Sequence, residues 1–394
     1  MLSAKVPKSP ITSEDELLAL ITLRSIDGIG NRRIMELVEA FEKPTDVFKA
    51  PAREIENVLS PKSVRKDIVF DVSRQRYSSL AIGKSISSLK SDFSVARKVL
   101  DDLSKCDGRV ITYWDEEYLH RLRTIQDTPV LLYAAGVPSK LYDYSIAIVG
   151  TRTPSDYSKL ISNKIAHSLA KQGITVVSGM AMGIDSQAHE GALSAGGRTI
   201  GVLGTGIDIT YPSSNKRIFE LVKKQGLLLS EYPPKTTPET YHFPQRNRII
   251  SGISIAVIIV EAGSKSGALI TARHAISQDR KLFAVPGLPD ATRSKGVNRL
   301  IKDGIAIMVE NAEDVIENLR DKLAPVLNVS AAITLPQMAE SERTIYDHLE
   351  NGPLTVDELI EKSGMSVVVI QRAITSMQLK NIIRKQQGGI VGRV

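Results

Sequence analysis

The chain has 394 residues, 42% hydrophobic and 24% charged, with a net charge of +7, a balance ordinary for a globular protein of about two to four domains. The lone cysteine, Cys106, excludes an internal disulfide and a cysteine-built metal cluster, and the surplus of positive charge is compatible with a polyanionic partner without requiring one. No apolar run approaches the ~18 residues of a membrane span, and the opening stretch MLSAKVPKSPITSEDELL has no signal-peptide core, so the expected location is the cytoplasm, away from the membrane.

Residues 1–105 read as a helical domain. Apolar residues recur at helical spacing in EDELLALITLRSI and RRIMELVEAFEKPTDVF. Between them IDGIGNRR sets Gly28 and Gly30 one residue apart. Such a hairpin resembles the helix-hairpin-helix of SAM-like domains, which grips a phosphate through free amides. The other reading is that the two glycines only turn the chain.

Residues 106–325 alternate strand and helix. The strand runs are SIAIVG, ITVVSG, RTIGVLGTG, LLLSEY, SIAVIIVEAG, KLFAVPG and AIMVE. They are apolar throughout rather than alternating, as in parallel strands covered on both faces. The expected fold class is α/β, a doubly wound Rossmann-like parallel sheet. Ligands of such sheets bind beyond the carboxyl ends of the strands. Here those ends read Gly150-Thr-Arg152, Ser178-Gly179, Gly204-Thr-Gly206 and Glu261-Ala-Gly263.

Residues 324–340 carry two prolines and no clear period, and read as a linker. Residues 336–394 then give three short helical patterns and a glycine turn, the parts of a winged helix. From Lys362 onward every charged side chain is basic, although the module as a whole is near neutral. Contact with DNA and contact with protein both remain open for it.

Several enzyme signatures are missing. GTGIDI stops after two glycines, so the dinucleotide fingerprint fails, and there is no P-loop. GSKSG has lysine where a nucleophile elbow needs serine. The six histidines show no metal-ligand spacing, so no cofactor or metal is expected. Asp185 and His189 lie four apart on one helix, either as an acid/base pair or as a helix cap beside a buried imidazole.

What remains is glycine and arginine. Glycine lets backbone amides approach an anion, helix N-termini favour it, and arginine keeps its charge. In FPQRNR, Pro244 suits the first position of a helix and would put Arg246 in the first turn. Arg152 ends the first strand, and the aromatics of YHF lie beside FPQRNR. A phosphate grip beside a stacking surface suits single-stranded nucleic acid.

The segments IAIVGTR, VVSGMAMGIDSQAH, GVLGTGIDITYPSSN, LSEYPP, FPQRNRIISGIS, SGALITARHA and FAVPG, in this order, resemble the DNA-processing protein A family (DprA, also called Smf). The resemblance spans about residues 110–310. It implies a homodimer without known catalysis that binds single-stranded DNA and loads RecA onto it in natural transformation. It makes Arg152, Arg246 and Arg248 phosphate contacts, with Asn247 between the last two. Gly150, Ser178, Gly179 and Gly204 would line the pocket. Several relatives carry a lysine straight after YP, where this chain has Ser213; Asn215 and Lys216 follow it, and Lys216 or Arg217 would supply the charge.

Two alternatives stand beside this reading. A Rossmann-like enzyme hydrolysing nucleoside monophosphates would draw on Asp185, Glu231 or Glu261 as its carboxylate. A nucleotide-sensing regulator with a winged-helix output would also fit the domain order.

Overall fold

The computed structural model describes residues 9–60, 78–89, 92–333, 339–349, 352–379, 383–385 and 390–393. The chain divides into two compact units, one ending at Val326 and one beginning at Leu327.

The first unit opens with helices α1 (Glu14–Ser25), α2 (Asn31–Phe41), α3 (Pro44–Lys49), α4 (Ala52–Leu59), α5 (Ser79–Leu89) and α6 (Ser94–Ser104). Ser13 caps α1 by accepting from the Glu16 amide. Glu16 is itself buried and accepts from the Thr45 amide and hydroxyl, at 2.9 and 2.7 Å, which ties α1 to α3. At the tip of the α1–α2 hairpin Gly28 has φ 84°, which only glycine adopts freely, and the Arg33 guanidinium donates to its carbonyl.

A nine-stranded sheet follows: β1 (Gly108–Thr112), β2 (Leu131–Gly136), β3 (Ser145–Val149), β4 (Thr175–Ser178), β5 (Thr199–Leu203), β6 (Leu227–Ser230), β7 (Ala256–Ile259), β8 (Lys281–Ala284) and β9 (Ile307–Met308). Its order is β1-β2-β6-β5-β4-β3-β7-β8-β9. β3 to β9 run parallel, whereas β1–β2 and β2–β6 pair antiparallel. The sheet is therefore not wholly parallel: β1 and β2, which are not among the strand runs expected from sequence, extend one edge.

Helices α7 (Asp156–Lys171), α8 (Ile184–Ser194), α9 (Lys216–Gln225), α10 (His242–Ile253), α11 (Ala268–Ser277) and α12 (Lys295–Lys302) link the strands. The chain winds outward from β3 to β6, returns along α10, and enters β7 on the other side of β3. The strand order thus reverses between β3 and β7, the point of such a sheet at which a crevice forms beyond the strand ends. β3 to β7 are buried at every position, which explains their unbroken apolar runs.

The expected linker is in part a helix. α13 (Ala312–Ile333) runs through Pro325, and residues 334–338 lie outside the described residues. The second unit holds α14 (Glu340–His348), α15 (Val356–Ser363), α16 (Val367–Leu379) and a sheet of β10 (Leu354–Thr355), β12 (Ile390–Arg393) and β11 (Ile383–Lys385), the winged-helix pattern. Thr355 and Glu358 form a capping box at the start of α15, and Gly364 closes that helix in the left-handed conformation. Ile345, Leu359, Ile370, Ile374, Met377 and Val391 form its core.

Candidate nucleic-acid interface

β3 ends in Gly150-Thr151-Arg152. A Cβ on Gly150 would lie 2.6 Å from the Ile184 side chain and 3.0 Å from the Glu261 carbonyl, so only glycine lets the exits of β3 and β7 meet here. The Thr151 amide donates to the Glu261 carbonyl (2.8 Å), and the Ser155 amide donates to the Glu261 carboxylate (2.8 Å). This loop delivers Arg152 to the surface, where its guanidinium lies 5.4 Å from the centroid of the Phe243 ring. Tyr211 stands beside Phe243, with ring centroids 5.5 Å apart.

These side chains line one end of an open groove of about 870 Å³ between the β3 and β7 exits and α10. A recess of about 40 Å³ at the same end is lined by Gly179, Gly204, Tyr211 and Phe243. Lys265 and Arg293 line the groove too. Neither was singled out from sequence. Lys265 sits in GSKSG, read there only as a failed nucleophile elbow, although a lysine among small residues after a buried strand was the available signal.

The arginines of FPQRNR do not both face outward. α10 starts at His242, so Pro244 is its third residue and Arg246 its fifth. Arg246 is 4% exposed, and its guanidinium donates to the Gly179 carbonyl (2.6 Å) and to the Val202 carbonyl. Asp185 approaches from the other side of Gly179, its carboxylate accepting from the Gly179 and Ala181 amides at 3.1 and 3.4 Å. A Cβ on Gly179 would fall 2.7 Å from each of the two charged groups. Burial lowers the Arg246 pKa to about 10, with Asp185 opposing and Arg152 adding to the fall, so Arg246 stays cationic at neutral pH. Burial raises the Asp185 carboxyl, against the pull of Arg246 and the amides. Arg246 thus lines the groove from beneath as a bound structural cation, which corrects its expected place in the first turn.

Arg248 is a second correction. It is 8% exposed, and its Nη2 donates to both carboxylate oxygens of Glu231 at 2.9 and 2.8 Å, while its Nε donates to Asp127 at 2.9 Å. Asn31 of α2 donates to the same Glu231 (2.8 Å) and accepts from the Val130 amide. Desolvation pulls the Arg248 pKa down, but Glu231 and Asp127 outweigh it and hold it above its ordinary value. Arg248 joins the N-terminal helices to the sheet and is not free to meet DNA.

The remaining expected residues divide. Ser178 is buried and donates to the Ile148 carbonyl (2.6 Å), so its hydroxyl is not offered to a ligand. Asn215 is buried too, its amide donating to the Met180 and Ala181 carbonyls and bracing a loop in which Met180 has φ 57°. Lys216 is exposed at the start of α9 but is not among the described residues lining the groove. Asn247 lines it.

Each carboxylate that an enzyme reading would draw on is already engaged: Asp185 by amides, Glu231 by Arg248, Glu261 by the β3–α7 loop. Asp185 and His189 do not bond to each other. His189 is fully buried beside Thr199, 2.7 Å from its hydroxyl, and because that hydroxyl donates to the Val176 carbonyl the imidazole Nδ1 carries the proton. Burial, aided by Arg246, lowers the His189 pKa from 6.5 to about 3. Below about 6.5 the unfolded chain takes up a proton that the folded imidazole refuses, so stability falls as pH drops from 6.5 towards 3. A His189→Gln variant is expected to flatten the fall in melting temperature between about pH 6.5 and pH 5. An unchanged profile would show that His189 does not set it.

Comparison with known proteins decides the family. A family model described as DNA recombination-mediator protein A matches residues 109–320, more than half of the chain. The chain belongs to the DNA-processing protein A (DprA/Smf) family. A DprA winged helix domain model matches residues 330–389. Protein Smf of Escherichia coli is 35% identical over 288 residues, 70% of this chain and 75% of that protein. Protein Smf of Synechocystis sp. is 42% identical over 214 residues, 53% of this chain and only 54% of that protein's length. Among solved structures, DprA of Streptococcus pneumoniae matches with a TM-score of 0.63 at 31% identity, covering 76% of this chain and 97% of that one. A DprA structure from Helicobacter pylori, solved for its single-stranded DNA binding mode, matches with a TM-score of 0.50 at 33% identity over 56% of this chain and 98% of that one. Among the described residues of this DprA-family chain, no helix is long and apolar enough to cross a membrane.

Proposed function

We propose that the chain binds single-stranded DNA in the groove between the β3 and β7 exits and, as a homodimer, loads RecA recombinase onto it during natural transformation. The observation that carries the binding is Arg152 over the Phe243 ring, with Tyr211 alongside and no carboxylate partner for the arginine among the described residues. A cation and an aromatic face on one groove wall take a phosphate and the base next to it. The described solved relative from Helicobacter pylori binds single-stranded DNA, which supports the same reading here.

The groove presents loops and ring faces, with no projecting helix to enter a major groove. Single strands are therefore expected to bind about tenfold or more tighter than duplex of equal length, with little dependence on base sequence. Fluorescence anisotropy with a 20-mer and its duplex tests this, and equal affinities would contradict it. For the homodimer, β9 is the last strand of the sheet, and Ile305, Ile307 and Met308 are exposed there. An apolar strand edge favours association. Light scattering that finds a monomer at tens of micromolar, with and without DNA, would overturn the dimer. RecA loading is tested by filament assembly on oligonucleotide already coated by this protein.

A further inference from the structure

The far side of the groove differs from the Arg152 end. The loop leaving β7, Gly263-Ser-Lys-Ser-Gly267, lies against the loop before α12, where a Cβ on Gly263 would be 3.2 Å from the Thr292 carbonyl and 3.8 Å from Arg293 Cα. The Gly296 amide donates to the Ala262 carbonyl at 2.8 Å, which fixes the second loop on the first. Lys265 and Arg293 are both exposed into the groove, and neither has a carboxylate partner among the described residues. The backbone amides of Ser264, Lys265 and Gly267 likewise have no intramolecular acceptor there.

An independent observation comes from the first turn of α11. Thr271 is 2% exposed, lines the groove, and its hydroxyl makes no hydrogen bond among the described residues. Although the residue as a whole is buried, the hydroxyl oxygen keeps access to the groove, so it is open to a partner from outside the chain. Its own chain offers an easy acceptor one turn back, so the open hydroxyl points to a ligand oxygen. The nearby carboxylate, Asp185, is turned away onto the Gly179 and Ala181 amides. The side chains that set this half apart are hydroxyls and two free cations, whereas the rings of Tyr211 and Phe243 stand at the Arg152 end.

We propose that Lys265, Arg293, the Thr271 hydroxyl and the free amides of the β7–α11 loop form a second phosphate station, distinct from Arg152. The proposal rests on the single-strand reading of the groove and extends it. A strand that stacks bases on Phe243 and Tyr211 places one phosphate at Arg152 and another across the crevice at this station. The phosphate comes either from inside the strand or from its 5′ end, since both present the same oxygens to the same donors.

The test is a salt titration of binding by a 20-mer with a 5′-hydroxyl and by the same 20-mer with a 5′-phosphate. The variants are Lys265→Ala, Arg293→Ala, Thr271→Val and Arg152→Ala, each checked for an unchanged melting temperature. Lys265→Ala and Arg293→Ala are each expected to flatten the log–log salt slope by about 0.7. Thr271→Val, which keeps the shape, is expected to weaken binding about tenfold with little change of slope, because it removes a neutral donor. Effects on both oligonucleotides support the station with an internal phosphate as its ligand. Effects confined to the phosphorylated one support it with the terminal phosphate. Wild-type slopes and affinities for the three station variants, with Arg152→Ala impaired, would overturn the station alone. If Arg152→Ala also bound like wild type, the single-strand reading of the groove would fail with it.

Discussion

Arg248→Ala is expected to destabilise the first unit by about 3–5 kcal/mol, because it strips the partner from a buried carboxylate. Glu231 would keep Asn31 at 2.8 Å and Arg24 at 3.7 Å, the latter too long for a strong pair. Asp127, more exposed than Glu231, would turn to water and lose less. The melting temperature should fall by roughly 5–15 °C. The loss should spread to the N-terminal helices, since Asn31 and Arg24 reach the sheet through the same carboxylate. Replacing Arg248 and Glu231 together by apolar residues of similar volume should recover much of the stability, as the cost lies in the unpaired charge. Protein that stays folded should bind single strands with an unchanged salt slope. A wild-type melting temperature with weakened DNA binding would return Arg248 to the phosphates.

Arg246→Ala is expected to lose both stability and binding. It leaves the Gly179 and Val202 carbonyls without their donor and Asp185 buried without its cation. Each unpaired buried carbonyl costs about 1–3 kcal/mol and the uncompensated carboxylate more, so a total of several kcal/mol follows. Arg246→Lys should not rescue it, because an ammonium cannot serve the two carbonyls and balance Asp185 from one planar group. Asp185→Asn should be milder, since its amide can still accept from the Gly179 and Ala181 amides. Thermal melts of the three variants check the order. A stable Arg246→Ala variant that is defective only in binding would contradict the buried role.

The strands were legible because burial on both faces writes itself as an unbroken apolar run, and the crevice followed from where those runs end. β1 was missed because it is an edge strand, only half-buried over its first three residues; β2 is itself an apolar buried run, LLYAAG, passed over because it pairs antiparallel and stands outside the strand–helix alternation that begins at β3. The arginines were harder. Charge is visible in a sequence but burial is not: Arg248 is claimed by Glu231 only 17 residues away and by Asp127 121 residues away, and Arg246 by the Gly179 carbonyl 67 residues away, and no local pattern marks any of the three. Arg152 was legible because its partner, the Phe243 ring, belongs to a motif already under suspicion. Lys265 was passed over because GSKSG was judged against one motif and not for its place at a strand exit. Pro325 misled in the opposite direction, as α13 carries it without ending.

The salt dependence of single-strand binding by Arg152→Ala tests most directly whether the strand lies in this groove. Each phosphate contact releases condensed counterions, at a log–log slope of about −0.7 for single strands. Arg152 is exposed and has no ion-pair partner among the described residues, so its removal should leave the melting temperature unchanged. Binding should weaken at low salt, with a slope flatter by about 0.7 and the same loss on every base sequence. A folded Arg152→Ala protein with wild-type affinity and slope would place the DNA somewhere other than this groove.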